Sequence, residues 1–320
     1  MKFGIIGYGS IGKRHVRNLI ELGQDNIILL RAIGSGNEHN LSEFTDKQSF
    51  LEAQPDVIII ANPTSLHAEY INQILLLNKH VIVEKPLVAT LKELMSIKDQ
   101  IGHYKGIGMT AYNMHYHPCV IEIKNLIKKN KFGKIYYARF FVGQYLPDWR
   151  PGTDYSKSYS SKRDMGGGVL FDLIHEIDLA CNLIGNPVGR VAWRVDKVSD
   201  LEIETEDLAE LFYHTKNNCL VSIHLDYLTF GTQRYIEIIG EKASLKGDLF
   251  SNSVTMSYRR GEIEEKHFRD FSTNDMYLDM LSSFINCIKE KKASPLPLQN
   301  GFISNQISIN IRDEFYNGKN

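Results

Sequence analysis

The pattern of apolar and polar residues changes character near residue 118. Before that point, short and nearly continuous apolar runs alternate with amphipathic stretches, which is typical of buried parallel strands joined by helices. Strands are predicted at 2–6, 26–31, 56–61, 81–83 and 106–109, and helices at 65–77 and 91–101. This alternation predicts an α/β fold with a doubly wound parallel sheet.

Beyond residue 118 the strand-like segments become alternating rather than continuously apolar, which favours a mostly antiparallel sheet. They lie at 135–142, 189–198, 207–213, 219–227, 234–239 and 253–258, with helices predicted at 118–129, after Gly168, at 275–290 and at about 301–316. The chain is therefore expected to form two domains, 1–118 and 119–320, of which the second is α+β.

A glycine-rich turn follows the first predicted strand directly, with glycines at Gly7, Gly9 and Gly12. A helix is predicted to start there, and its unpaired N–H groups and positive dipole end suit a pyrophosphate. The alternative is a tight strand-turn-helix without a ligand. We predict that this segment binds a dinucleotide cofactor through Gly7, Tyr8, Gly9, Ser10, Ile11 and Gly12.

Composition narrows the classes of partner. The 320 residues carry a net charge of −1 and are 43% hydrophobic, so a large core is expected without a basic surface for nucleic acid or anionic lipid. The apolar runs are too short to span a bilayer, and a cytoplasmic protein is expected. Four cysteines stand far apart in the sequence, so we expect reduced thiols, without a disulfide framework or a metal site.

Two further motifs follow predicted strands, where a doubly wound sheet presents its ligand. One contains Asn62-Pro63-Thr64 with His67 one helical turn later, and the other is Glu84-Lys85-Pro86. Proline after each strand ends the ladder and directs the neighbouring side chains off the sheet edge. A solvated turn is the alternative for the second motif. The predicted cofactor-binding residues therefore also include Asn62, Pro63, Thr64, His67, Glu84 and Lys85.

A third group follows three consecutive glycines, 166–168, and consists of Asp172, His175 and Asp178. Their spacing of three residues would place them on one face of a continuous helix. A carboxylate beside an imidazole suits general acid or base catalysis, because it fixes the tautomer of the ring. The alternative is a glycine turn that starts a helix with a salt-bridged histidine.

Taken together, these motifs resemble the glucose–fructose oxidoreductase, inositol dehydrogenase and rhizopine catabolism (Gfo/Idh/MocA) family over essentially the whole chain. The resemblance implies a Rossmann domain, an open-faced α+β domain for substrate binding and oligomerisation, and homodimers or homotetramers built through the C-terminal sheet. It implies NAD(P)-dependent chemistry on a sugar, cyclitol or nucleotide-linked sugar. Lys85, Asp172 and His175 match the family's catalytic positions.

A narrower resemblance lies in 143–151 and in Asp154-Tyr155, Tyr159-Ser160 and 172–178. These segments are similar to a bacterial subgroup associated with surface-polysaccharide and sialic-acid-like sugar pathways. The substrate is accordingly expected to be a small sugar or a nucleotide-linked sugar.

Three positions depart from the family pattern. His175 follows Asp172 by three residues where much of the family has four, and His115 stands where arginine is common. Arg31 ends the second strand, where an NAD site usually carries a carboxylate for the ribose 2′-hydroxyl. We therefore expect NADP or NAD as cofactor with NADP slightly favoured, the alternative being a solvated Arg31.

The aromatic stretch 144–163 is too long for an ordinary connection and is a candidate for substrate recognition. Aromatic rings there can pack on a sugar, and Arg150 and Lys162 can pair with an anionic substrate group. A loop packed across a subunit interface is the alternative. The predicted substrate-binding residues are Asn113, His115, Trp149, Arg150, Tyr155, Lys162, Asp172 and His175.

These inferences converge on reversible hydride transfer between nicotinamide and a secondary alcohol or ketone carbon of a sugar. Lys85 and the Asp172/His175 pair are expected to handle the proton. Two other activities remain open for the same fold: an NAD-dependent glycosidase without net redox change, and a non-catalytic cofactor-sensing regulator.

Overall fold

The computed structural model describes residues 1–318 and divides into two compact units. The first contains Met1–Tyr112 and Asn274–Phe302, and the second contains Asn113–Thr273 and the described residues from Ile303 onward. The N-terminal part of the first unit thus ends at Tyr112, six residues before the predicted boundary at 118. The unit also includes a second segment, Asn274–Phe302. That segment contains an amphipathic helix, which buries its apolar face in the first unit.

In the described chain, the first unit is built on six parallel strands in the order β3-β2-β1-β4-β5-β6, so the predicted doubly wound parallel sheet is confirmed. The strands are β1 (Phe3–Ile6), β2 (Ile27–Leu30), β3 (Ser42–Phe44), β4 (Val57–Ile60), β5 (His80–Val83) and β6 (Gly108–Thr110). The helices are α1 (Ser10–Glu21), α2 (Lys47–Glu52), α3 (His67–Leu76), α4 (Leu91–Ile101) and α8 (Asp275–Glu290). Fully buried strands such as β4 form the core, and each buried aliphatic side chain stabilises the fold by roughly 1.5–3 kcal/mol.

Within residues 1–318, the second unit is built on eight strands in the order β14-β13-β12-β11-β7-β10-β9-β8. Neighbours are antiparallel except β7 and β10, so the predicted α+β domain with a mostly antiparallel sheet is confirmed. The strands are β7 (Ile135–Gly143), β8 (Ala192–Asp196), β9 (Leu208–His214), β10 (Leu220–Asp226), β11 (Gln233–Gly240), β12 (Ala243–Asp248), β13 (Ser253–Tyr258) and β14 (Ile263–His267). The helices are α5 (Pro118–Lys128), α6 (Val169–Asp172), α7 (His175–Leu183) and α9 (Asn300–Asn317).

Four elements were missing from the sequence prediction: β3, α2, β12 and β14. The first two are only three and six residues long, and β14 is exposed at every position, so it shows no apolar alternation. β12 contains Lys246 and Gly247, which weaken a strand pattern. These strands form because their neighbours supply the hydrogen-bond ladder.

The four cysteines, all within the described residues, are free thiols, and Cys119, Cys181 and Cys219 are buried. Burial raises the pKa of both Cys119 and Cys181 to about 12, so these thiols are poor nucleophiles. In the part of the chain that the structure describes, no helix combines the length and apolarity needed to cross a membrane.

Candidate functional site

The glycine turn after β1 forms the base of a ligand site in the first unit. Gly7 has φ +92°, and a Cβ there would lie 2.7 Å from the backbone of Asn62, so only glycine fits. Gly9 caps α1 without a side-chain hydrogen bond, and a Cβ at Gly9 would meet nothing within 4 Å. The first turn of α1 therefore leaves room for a ligand beside Gly9, and cofactor binding by Ser10 and Ile11 stays a prediction.

A cavity of about 580 Å³ lies beside this turn, within the size range of small-molecule sites. Two buried polar atoms at it, Tyr8 Oη and Asn62 Oδ1, have no hydrogen-bond partner among the described residues. Buried polar groups are normally paired, so these two atoms fit a ligand that supplies the missing partners. The cavity brings together five predicted cofactor-binding residues, Gly7, Tyr8, Arg31, Asn62 and Pro63. Its size and its two unpaired polar atoms fit a part of a dinucleotide.

Arg31 has an acidic partner that sequence reasoning missed. Arg31 Nη1 donates to Glu43 Oε1 and to the carbonyl of Gly36, each at 3.0 Å. Its guanidinium lies 5.1 Å from the centre of the Tyr8 ring. The carboxylate absent from the end of β2 is therefore present on β3, a strand too short to be recognised in the sequence.

Two predicted cofactor-binding residues make internal contacts instead of lining this cavity. His67 is 1% exposed, with Nε2 2.9 Å from the Asn62 carbonyl and Nδ1 3.0 Å from the Pro86 carbonyl. Burial lowers the pKa of His67, although these carbonyl contacts oppose the shift. Glu84 Oε1 lies 2.7 Å from Nε2 of His15, which is fully buried on α1. Both side chains hold the strand-end loops in position.

Lys85 follows β5 between Glu84 and a cis-peptide bond to Pro86, and it is half-buried. Thr64, by contrast, is 3% exposed in the turn that precedes α3. The contact of Glu84 with His15 and the contact of Pro86 with His67 fix the backbone on both sides of Lys85. The strand end therefore presents Lys85 from a rigid support.

In the second unit, the central group is Asp172 at the end of α6. Asp172 is 9% exposed, and Tyr227, which is fully buried, donates its hydroxyl to Asp172 Oδ2 at 2.7 Å. Burial and the negative charge of Asp172 raise the pKa of Tyr227 well above its usual value, so the phenol stays a donor. The Trp149 ring stands edge-on to Tyr227 with centroids 5.3 Å apart. Tyr227 was missed because it lies 55 residues from Asp172.

The prediction that Asp172, His175 and Asp178 share one face of a continuous helix is wrong for Asp172, whereas His175 and Asp178 do lie three residues apart on α7. α6 ends at Asp172 because Leu173 adopts φ −102° and ψ 24°, and α7 begins at His175. The three-residue spacing therefore does not carry a helical register from Asp172 to His175. His175 is 9% exposed and is the first residue of its helix.

Asp178 contacts a different histidine, His115. Asp178 Oδ2 lies 2.5 Å from His115 Nε2, with the side chains 1% and 6% exposed, and Asp178 Oδ1 accepts from Asn182 at 3.0 Å. Burial raises the pKa of Asp178, and the contact with His115 opposes that shift. His115 lies in the turn Asn113–Tyr116, whose first residue, Asn113, is also buried. This pairing orients His115, a predicted substrate-binding residue.

The three consecutive glycines have a packing role in this unit. Gly168 has φ +109°, and a Cβ there would lie 2.3 Å from the Glu206 carboxylate. Glu206 is fully buried, which raises its pKa, and it accepts from the Leu170 N–H and the Tyr316 hydroxyl. The glycines thus let α6 start against a buried carboxylate.

The stretch 144–163 folds on itself through three short 3₁₀ turns. Trp149 Nε1 donates to the Gln144 carbonyl at 3.2 Å, and the space bordered by Trp149, Arg150 and Tyr155 is about 10 Å³. That volume holds about one water, so this space is too small for a sugar. Arg150 is exposed, and Lys162 pairs with Glu204 at 2.7 Å.

Both the sequence and the fold of this chain resemble known proteins. Two models of one family match the chain: the model described as an oxidoreductase family with an NAD-binding Rossmann fold matches residues 1–110, and the model of the GFO/IDH/MocA C-terminal domain matches residues 120–246. The myo-inositol 2-dehydrogenase of Thermotoga maritima is 25% identical over 308 residues, covering 90% of this chain and 88% of that protein.

Solved structures agree with the fold. Levoglucosan dehydrogenase in complex with NADH and levoglucosan has a TM-score of 0.86 at 18% identity, covering 100% of this chain and 98% of the other. The UDP-N-acetylglucosamine 3-dehydrogenase of Acidithiobacillus ferrooxidans has a TM-score of 0.77 at 18% identity, covering 97% and 96%. The chain therefore belongs to the Gfo/Idh/MocA family of oxidoreductases, and its N-terminal residues form the NAD(P)-binding Rossmann domain of that family.

Proposed function

We propose that this protein is an NAD(P)-dependent dehydrogenase that transfers a hydride between nicotinamide and a secondary alcohol or ketone carbon of a sugar. The cofactor supplies the hydride chemistry when it is bound, and the protein's residues bind it, orient the sugar and move the proton. We assign to Lys85, Asp172 and His175 the transfer of the proton to and from the sugar hydroxyl. The named activities of the relatives, on myo-inositol, levoglucosan and a UDP-linked amino sugar, support a polyol or sugar substrate.

The observation that carries this proposal is the supported carboxylate of Asp172. A carboxylate that is 9% exposed and hydrogen-bonded by a fully buried tyrosine is held in one orientation. Such a carboxylate can accept a hydrogen bond from a substrate hydroxyl or from a protonated neighbour without first reorganising. A glycine turn, an open helix start and a ligand-sized cavity supply the cofactor half of the same function.

In the oxidation direction, the sugar hydroxyl loses its proton as its carbon loses hydride, so one general base is required. We assign that role to Lys85 or His175 and assign to Asp172 the orientation of the accepting group. In the reduction direction, the same groups return the proton to the developing alkoxide. The His115 imidazole, held by Asp178, is assigned to the binding of a substrate hydroxyl.

We propose further that the substrate is a nucleotide-linked sugar of the kind found in bacterial surface-polysaccharide and sialic-acid-like sugar pathways. The resemblance of residues 143–151 to that subgroup supports this narrower assignment, as does the fold shared with a UDP-sugar dehydrogenase. Arg150, which is exposed, and Lys162 are the candidate contacts for the phosphate charge.

We also propose a homodimer or homotetramer formed through the open face of the second sheet. Phe212 on β9 and Ile239 on β11 lie on that face and are 42% and 47% exposed. Large apolar side chains that are exposed on a sheet face favour burial in an interface. Sedimentation of the wild type and of Phe212→Glu tests this: the variant should sediment as a smaller species, and an unchanged sedimentation coefficient would refute the interface.

The activity test is a panel of myo-inositol, levoglucosan and UDP-N-acetylglucosamine with NAD⁺ and NADP⁺, followed through the absorbance of the reduced nicotinamide. We expect at least one sugar to reduce NAD⁺ or NADP⁺ in the presence of the wild type, and we expect Lys85→Ala to lose this activity. Cofactor affinity of Lys85→Ala, measured by calorimetry, serves as the control for folding and binding. A glycoside that is hydrolysed without net absorbance change would identify the glycosidase, and cofactor binding without turnover of any sugar would favour the sensor.

A further inference from the structure

The cofactor cavity contains an ion pair whose arrangement bears on how a ribose 2′-phosphate is recognised. Arg31 follows β2, and its backbone N–H donates to the carbonyl of Phe44 on β3 at 2.9 Å. Glu43 precedes Phe44 on the same strand, in register with Leu29. The strand pairing therefore fixes Glu43 beside Arg31.

The Glu43 carboxylate is anchored by three donors. Oε1 accepts from Arg31 Nη1 at 3.0 Å and from Asn37 Nδ2 at 2.8 Å, and Oε2 accepts from the Ser35 N–H at 3.3 Å. The Asn37 hydrogen bond, ahead of the contacts with Arg31, lowers the pKa of Glu43, so it is ionised at neutral pH. The side chains of Arg31 and Glu43 are 19% and 13% exposed, so solvent screens their attraction only in part.

Arg31 lines the cavity, whereas Glu43 is not among its lining residues. Among the described residues, the hydrogen bonds of Arg31 are made by Nη1 and none by Nε or Nη2, so this edge of the guanidinium remains able to bind a ligand. The edge that carries Nη1 is occupied by Glu43 and by the Gly36 carbonyl. Arg31 can therefore still donate to a ligand, but its positive charge is already compensated.

The second cation of the cavity is compensated as well. Lys47, the first residue of α2, pairs with Glu69, and both residues line the cavity. Asp46, which precedes Lys47, accepts from the Ser49 N–H at 2.7 Å and adds a further negative charge. A phosphate dianion would therefore enter a cavity whose positive charges are matched by carboxylates.

We propose that Glu43 is a specificity-determining residue that restrains Arg31 and limits the preference of the site for a ribose 2′-phosphate. This inference rests on the proposed function in one respect, that the cavity binds the adenosine end of NAD(P). The free donors of Arg31 would attract a 2′-phosphate, and the Glu43 carboxylate weakens that attraction by compensating the charge of the guanidinium and holding it in place. The balance lets one site accept both the 2′-hydroxyl and the 2′-phosphate form. Neutralising Glu43 should shift that balance toward the phosphate.

The test uses two small probes, adenosine 5′-monophosphate and adenosine 2′,5′-bisphosphate, which differ only in the 2′-phosphate. Their dissociation constants are measured by calorimetry on wild type, Glu43→Gln, Arg31→Ala and the double variant. Glu52→Gln is the matched control, since Glu52 is exposed on α2 outside the cavity and its loss changes the net charge equally. The ratio of the two constants cancels any general loss of folded protein.

We expect Glu43→Gln to shift the ratio about tenfold to hundredfold in favour of the bisphosphate, since the charge of the Arg31 guanidinium is then no longer compensated by a carboxylate. Glu52→Gln should leave the ratio unchanged. The effect of Glu43→Gln should disappear when Arg31 is also replaced, because the carboxylate acts through the guanidinium. Glutamine retains an oxygen acceptor for Arg31 and Asn37, which supports folding of the variant.

An unchanged ratio in Glu43→Gln would overturn the inference, and so would an equal shift in Glu52→Gln or in the Arg31→Ala background. A second measurement uses the complete cofactors NADH and NADPH and follows their binding by nucleotide fluorescence. The ratio of their dissociation constants should shift toward NADPH in Glu43→Gln and stay unchanged in Glu52→Gln. Failure of the proposed function looks different: the wild type would then bind neither probe and neither cofactor, whichever residue stands at position 43.

Discussion

Replacing Tyr227 by phenylalanine removes a single hydroxyl from the support of Asp172. That hydroxyl donates to Asp172 Oδ2 at 2.7 Å, and Tyr227 is fully buried, so no solvent replaces the lost donor without rearrangement. A hydrogen bond to a charged group contributes about 1.5–3 kcal/mol. If the carboxylate acts in the transition state, that loss corresponds to roughly a 10- to 100-fold fall in kcat/KM.

The matched control for Tyr227→Phe is Tyr213→Phe in the same unit. Tyr213 is also buried, at 3% exposure, and its hydroxyl donates to the Gly185 carbonyl at 3.1 Å. Each variant loses one buried hydroxyl, and in chemical denaturation Tyr213→Phe should be destabilised by about 1 kcal/mol and Tyr227→Phe by about 1.5–3 kcal/mol. The assay compares kcat/KM of the two variants on the sugar that is active in the panel. An equal loss of kcat/KM in both would refute the view that Tyr227 supports the reactive carboxylate.

Three further predictions follow from the same geometry. Lys85→Ala should lower kcat by about 10²- to 10⁴-fold while the calorimetric cofactor affinity changes little, and wild-type turnover would move the proton-handling role to His175. Burial alone would lower the pKa of His224, but contacts with Asp226 and Glu210 raise it to about 9. Protonated His224 should therefore contribute on the order of 3 kcal/mol to the free energy of unfolding at pH 6.5, and this contribution should be lost as pH rises through 9. Urea unfolding should show this loss in wild type and in His267→Gln but not in His224→Gln. Arg150→Ala should raise KM more than it lowers kcat, and Lys162→Ala should do so less because Glu204 already pairs with that amine; an unchanged KM in both would remove the loop from substrate binding.

The sequence was most informative where a local pattern determines the structure. β1, the glycine turn and α1 form one contiguous segment, in which the apolar run, the positive φ of Gly7 and the helical spacing all favour the same structure. The helices Leu91–Ile101 and Asp275–Glu290 were predicted with their observed bounds for the same reason. Each of them shows its apolar face within a few turns.

The partners of the site residues could not be predicted, because they come from distant parts of the chain. Tyr227 lies 55 residues from Asp172, Tyr316 lies 110 residues from Glu206, and Glu43 reaches Arg31 through a three-residue strand. None of these pairs has a local spacing that signals contact. They are set by strand order and helix packing, which a single sequence does not reveal.

The pairing around α7 shows the same limit in another form. The successive spacings of three residues from Asp172 to His175 and from His175 to Asp178 predicted one shared helix face. The break at Leu173 instead separates the helix of Asp172 from the helix of Asp178. The carboxylate of Asp178 meets His115, a histidine 63 residues away. Spacing rules apply only while the helix continues, and nothing in residues 172–175 marks its end.

Passage of a hydride from the substrate carbon to the nicotinamide can be followed by isotope transfer. The active sugar of the panel, deuterated at its ring carbons, is incubated with oxidised cofactor, and the recovered nicotinamide is analysed by mass spectrometry. The wild type should form reduced nicotinamide that carries deuterium, and Lys85→Ala should form it far more slowly. Unlabelled nicotinamide, with the deuterium retained in a hydrolysed or unchanged sugar, would contradict hydride transfer.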